Sequence, residues 1–98
     1  MGSNSLSSKQ VRHLRGLGHH LEPIVMLGRE GVTDNVLRSL DACLLAHELV
    51  KVKLQQNCPL EKGEAATALA EASRAEIVQI LGKTLLLYRR NPDIRKDK

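Results

Sequence analysis

Gly28-Arg29-Glu30-Gly31 is the stretch of this sequence whose residue types and spacing are best suited to hold a ligand. It follows the apolar run Ile24-Val25-Met26-Leu27 and precedes Thr33 and Asp34, so it joins a strand to the start of a helix. The first N–H groups of a helix lack partners within it, and together with the helix dipole they attract anions. A glycine has no Cβ to keep a phosphate from the backbone, and a guanidinium such as that of Arg29 adds a charge-assisted contact. An ordinary glycine turn between strand and helix accounts for the same four residues. On these residues alone both readings stand.

Basic residues recur in two further places. Lys9, Arg12 and Arg15 share one face of a helical stretch, and Lys51 and Lys53 alternate along an extended one. The first set is either a ridge that contacts phosphates or a solvated helix face. The second either tracks a polyanion backbone or guards a strand against edge pairing. Arg89 and Arg90 are expected on opposite faces of a strand, so at most one of them joins any single surface. Cys43 and His47 have the i, i+4 spacing of half a metal site, with His19 and His20 as further donors. Cys43 also falls on an apolar stripe, where a small buried thiol is the ordinary occupant, and no metal is expected. Gly82-Lys83-Thr84 imitates the end of a nucleotide-binding P-loop, but Ile77 stands where the first glycine is required. The triplet also lies between two strands, whereas a P-loop opens a helix. No serine, cysteine or carboxylate has an evident acid or base partner. The chain is therefore expected to be non-enzymatic, with no cofactor and no small-molecule substrate.

Caps and periodicity give the elements that must position these groups. Ser7 and Gln10 form a capping box with Leu6 and Val11 as its hydrophobic staple. Val11, Leu14 and Leu17 then recur along one face, and Gly16 and Gly18 are expected to end this helix. Residues 24–27 predict a short buried strand. Thr33 is the N-cap of a second helix, with Asp34 in its first turn and Val36, Leu37, Leu40, Cys43 and Leu44 as its core stripe down to His47. Residues 49–54 alternate, Val50, Val52 and Leu54 to one side and Lys51 and Lys53 to the other. After Asn57-Cys58-Pro59, the Ala-rich residues 61–72 around Leu69 predict a third helix. Residues 77–81 and 84–89 predict two strands joined by the two-residue turn Gly82-Lys83. The order αβαβαββ predicts one α/β domain over residues 6–90, a mixed four-stranded sheet packed with three helices. A flexible start or tag remnant is expected at residues 1–5 and a charged tail at residues 91–98.

Length and composition bound what such a domain does. A chain of 98 residues forms one domain, and at that size it buries roughly 60–65% of its unfolded surface. Tyr88 is the only aromatic residue, and a sheet that stacks bases needs two or three exposed rings, so base stacking is excluded as the main grip. Lys and Arg outnumber Asp and Glu by 15 to 11, a net charge of +4 that favours polyanionic partners. The two cysteines read as free thiols in a reducing compartment. No apolar run approaches the roughly 20 residues that span a bilayer. The opening lacks a signal peptide's charged and apolar regions, and Leu6 occupies the position where a myristoylation signal needs Ser or Thr. A cytoplasmic monomer with no membrane contact is expected.

Three blocks, in order and register, carry a resemblance to a known family. They are Leu21-Glu22-Pro23-Ile24-Val25-Met26-Leu27-Gly28-Arg29-Glu30-Gly31-Val32-Thr33, then His47-Glu48-Leu49-Val50-Lys51-Val52-Lys53, then the hairpin from Val78 to Arg89. Over residues 6–90 the chain resembles the CRM domain, the YhbY-like family named for chloroplast splicing and ribosome maturation. The resemblance implies an initiation-factor-like α/β fold and RNA binding through a KH-like GxxG loop with neighbouring basic residues. Stand-alone bacterial members are associated with large ribosomal subunit precursors, and multi-domain plant relatives act in intron splicing. The residues expected to carry RNA binding here are Gly28, Arg29, Glu30, Gly31 and Thr33 at the loop, with Lys9, Arg12, Arg15, Lys51 and Lys53. Two positions depart from the family pattern. Glu30 places a negative charge in the loop, and Ser73-Arg74 stands where relatives often have Thr-Gly. If that turn requires a left-handed residue, Arg74 holds it at a cost of about 1–2 kcal/mol. The expected function is binding of ribosomal RNA or pre-large-subunit particles during assembly, by shape and phosphate position. The alternative is an adaptor that docks on ribosomal proteins or assembly factors.

Overall fold

The first helix, α1 (Ser8–Gly18), starts where its capping box places it. Ser7 Oγ accepts from the Gln10 N–H at 3.1 Å, and Gln10 Oε1 accepts from the Ser7 N–H at 2.8 Å. The computed structural model describes residues 6–91. After α1 come β1 (Val25–Leu27), α2 (Asp34–His47), β2 (Leu49–Leu54), α3 (Lys62–Ser73), β3 (Glu76–Leu81) and β4 (Thr84–Tyr88), the αβαβαββ order read from the sequence. The flexible start expected at residues 1–5 and the charged tail expected at residues 91–98 lie, Asn91 excepted, outside the described residues.

The strands lie in the order β1-β2-β4-β3, with β1 parallel to β2 and the other neighbours antiparallel. Alternation along β2 separates two faces. On one, Val25, Leu27, Val50, Val52, Leu54, Leu85 and Leu87 are buried under Leu40 and Leu44 of α2 and Ala65, Ala66 and Leu69 of α3. The alanines keep α3 close to the strands while its leucine fills the space between, the interdigitation a close-packed interior demands. On the other face α1 lays Leu14 and Val11 over Val78, Leu86, Leu49 and Tyr88. Lys51 and Lys53 share this α1 side because side chains alternate along β2.

Four local expectations are corrected. Gly16 does not end the first helix, which runs on to Gly18. A Cβ on Gly18 would stand 2.5 Å from Leu86 Cδ2, so the glycine there admits close contact with the sheet. The first strand is three residues long and buried on one side only, since it is a sheet edge that α1 leaves uncovered. Met26 is 48% and Ile24 49% exposed. Arg89 does not continue the last strand with Arg90 on the opposite face. Its guanidinium binds Asp41 Oδ1 at 2.9 Å and the Ser73 carbonyl at 2.7 Å, tying the end of β4 to α2 and α3. The third helix is displaced by one residue, with Glu61 as its cap.

Among the described residues, two other than glycine take positive φ. Arg74 (φ 60°, ψ 36°) caps α3 in the left-handed conformation that the sequence made conditional. Glu48 (φ 68°) turns the chain from α2 into β2. It is 5% exposed, and its carboxylate accepts the Asn91 N–H at 2.6 Å.

Candidate nucleic-acid interface

Parallel pairing of β1 and β2 ends both strands at one rim of the sheet. The β3–β4 hairpin turns at the same rim, because Thr84 pairs with Lys53 and the Leu54 N–H donates to the Lys83 carbonyl at 2.8 Å. Three loops therefore stand in a row: residues 28–31 after β1, residues 55–57 after β2, and residues 82–83 in the hairpin.

In the first of these the Gly31 N–H donates to the Gly28 carbonyl at 3.0 Å, closing a turn with Arg29 and Glu30 exposed at its centre. Gly31 has a structural reason to be there, whereas at Gly28 the nearest obstacle is the end of an exposed, flexible side chain. A Cβ on Gly28 would meet Gln55 Oε1 at 2.9 Å, and Gly31 has φ +69° while buried against Leu60 and Pro59. The Gly31 N–H is thus consumed within the turn, and the Val36 N–H is taken by Thr33 Oγ1 at 3.1 Å. The N–H groups of Asp34 and Asn35, in the first turn of α2, have no partner inside the helix. Thr33 enters this site as the helix cap.

The α1 side of the sheet is open next to the turn. Met26 is the register partner of Lys53, and both are exposed there. Gln55 Nε2 reaches Met26 Sδ at 3.9 Å. Lys51, two residues farther from the rim and half-buried, lies between two grooves beside the end of α1. One is lined by Gly18, His19, Gln79 and Thr84, the other by Leu17, Leu21, Ile24 and Leu49. The turn, Lys53 and Lys51 thus form one continuous strip.

Lys9 is not part of it. It lines a groove with Leu6, His13 and Tyr88, and Tyr88 pairs with Leu49 at the opposite end of β2 from Lys53. Arg12 and Arg15 are exposed along α1 between these ends. The fold brings Arg29, Lys53 and Lys51 together and separates them from the start of the basic helix. Sequence reasoning passed over Gln55, Asn57 and Lys83, which share the rim. Lys83 was read as a hairpin-turn residue and as part of a P-loop imitation, and its place beside the other two loops depends on strand pairing that no local pattern displays.

Cys43 and Cys58 are free thiols packed against the core. Among the described residues no group of three or more His, Cys, Asp or Glu is placed to hold a metal ion. No helix among them is long and apolar enough to cross a membrane.

Residues 6–89 match the CRS1 / YhbY (CRM) domain. Bacillus subtilis YqeI, named a probable RNA-binding protein, is 42% identical over 88 residues, covering 90% of this chain and 92% of its own. A Haemophilus influenzae protein named an RNA-binding protein is 42% identical over 87% of this chain and 86% of its own. The solution structure of the hypothetical protein SAV1595 from Staphylococcus aureus superposes with a TM-score of 0.79 at 37% identity, covering 93% of this chain and 95% of that one.

Proposed function

The chain belongs to the CRS1 / YhbY (CRM) domain family, and we propose that it binds RNA, with the turn at residues 28–31 and the open strip of Lys53 and Lys51 against the phosphate backbone. The observation that carries this reading is the match over nearly the whole length to relatives named for RNA binding. The geometry supports it: three cations follow one another from an exposed turn onto an uncovered part of the sheet. Phosphate contacts of this kind position a protein on RNA without reading sequence. Tyr88, the sole aromatic ring, packs near α1 at the far end of the sheet and offers no stacking platform beside the strip. Recognition then rests on RNA shape and phosphate spacing.

The target we propose is ribosomal RNA within large-subunit precursors, bound in the cytoplasm by a monomer that acts by binding and not by catalysis. Crosslinking in cells followed by sequencing of the attached RNA tests this. Enrichment of large-subunit rRNA and its precursor is expected, and crosslinks spread over messenger RNA with no such enrichment would overturn it.

One observation favours a second reading, docking on a protein. Leu17, Leu21 and Ile24 are exposed together on one groove beside Lys51. Binding to protein-free rRNA transcripts supports the first reading, and binding only to intact particles supports the second.

A further inference from the structure

The strip just described stops at Gln55 if only the α1 side of the sheet is considered. Gln55 itself does not stop there. Its side chain lies against Gly28 and Met26 on one side, and it also lines a groove of about 410 Å³ between the β3–β4 hairpin and the start of α3. The floor of that groove includes Leu54 and Leu60, and its walls carry Lys62 and Lys83 against one carboxylate, Glu61. Both lysines are exposed, and neither makes a hydrogen bond or ion pair with any described residue through its side chain.

We infer that the RNA-binding surface continues over the rim of the sheet into this groove, with Lys83 and Lys62 as additional phosphate contacts and Gln55 as the link to the turn at residues 28–31. The inference rests on the RNA-binding reading above and extends it to a part of the molecule on the α3 side of the rim. Three observations carry it. First, the groove is continuous with the strip through a single residue, so a strand that leaves Arg29 meets the groove without crossing a gap. Second, β1, β2 and β4 are consecutive neighbours, so the turn after β1 and the hairpin stand about 10 Å apart, two strand spacings. Third, two exposed cations bordering one groove suit a polynucleotide, whose phosphates would lie at the lysines. The Lys83 carbonyl, which accepts from Leu54, fixes the hairpin through the backbone, so its side chain is free to serve a ligand.

The test measures binding of the full chain to a labelled large-subunit rRNA transcript across a salt series. The variants are Lys62→Ala, Lys83→Ala, the double variant, Lys53→Ala, and Arg90→Ala as a charge control at the far end of β4. Melting curves confirm that each is folded. Each rim lysine is expected to account for about fivefold in affinity, the equivalent of about 1 kcal/mol for an exposed charge pair. The double variant should flatten the slope of log K against log salt by about 1.4–1.8, since each phosphate contact contributes about 0.7–0.9. Arg90→Ala should change neither. If the double variant binds like the parent while Lys53→Ala weakens binding, the RNA reading stands and this extension falls. If Arg90→Ala costs as much as either rim lysine, the effect is one of net charge and the extension falls as well. If the lysines matter only for binding to intact particles, the groove holds a protein and the inference is overturned. If the parent shows no salt-dependent RNA binding at all, both readings fall together.

Discussion

Arg29 and Glu30 occupy the centre of one turn with opposite charges, so the turn by itself is close to neutral. Its attraction for a phosphate comes from which of the two side chains meets the ligand and from the cations around it. Neither residue makes a side-chain hydrogen bond or ion pair with any described residue, which makes them clean positions to vary. Arg29→Glu places an acidic group near the start of α2, where the helix dipole favours it by about 0.3–1 kcal/mol, so the melting temperature should hold or rise slightly. RNA would instead lose a charge-assisted contact and meet a second carboxylate, weakening binding about tenfold or more, roughly 1.4 kcal/mol. Glu30→Lys should strengthen binding if Glu30 faces the ligand. Melting curves with filter binding on both variants decide the point. A folded Arg29→Glu protein that binds RNA like the parent would reduce residues 28–31 to a turn. Gly31 cannot make that distinction, because its φ of +69° favours glycine whether or not a ligand binds.

At the scale of elements, side-chain caps and alternation were legible in the sequence, while glycine punctuation misled at one helix. Ser7, Gln10 and Thr33 announced two helix starts through hydrogen bonds made within a few residues, and the alternation of β2 separated its two lysines from its core side. Gly16 was misread because a glycine costs only about 1 kcal/mol inside a helix, and continued packing of α1 on the sheet outweighs that. The two glycines of α1 should therefore respond oppositely to alanine. Nothing lies within 4 Å of a Cβ built on Gly16, so Gly16→Ala should stabilise the fold by about 0.5–1 kcal/mol. At Gly18 the new methyl would collide with the buried Leu86, and overpacking of about 1–3 kcal/mol should exceed the gain in helix propensity. Urea titrations of both variants test this, and a stabilised Gly18→Ala protein would mean that α1 does not dock as described. The departure at Arg74 has the same logic. Its left-handed cap position suits glycine, so Arg74→Gly should raise stability by about 1 kcal/mol, read from the shift in the urea midpoint.

For the whole molecule, the legible part of the site was its list of cations and the illegible part was which of them share a surface. Alternation along β2 is local and survives in the sequence, but the parallel pairing of β1 with β2 joins residues 27 positions apart, Val25 with Val52. That pairing gathers residues 28–31, 55–57 and 82–83 at one rim and leaves Lys9 at the other end. A salt series turns this division into a measurement. Arg29, Lys51, Lys53, Lys62 and Lys83 border the rim and its adjoining grooves, so about three to five phosphates should be neutralised, giving a slope of log K against log salt of about −2 to −4.5. Lys53→Ala should flatten that slope by about 0.7–0.9, whereas Lys9→Ala should leave it unchanged. A slope near zero for the parent would remove the phosphate backbone from the account altogether. A Lys9→Ala slope flattened as much as that of Lys53→Ala would instead require RNA long enough to reach from the rim to the start of α1. The length of the sheet sets that distance, since Lys53 and Leu49, the register partner of Tyr88, lie four residues apart on β2, about 13 Å. The two outcomes therefore separate a compact contact at the rim from a surface that wraps the basic helix.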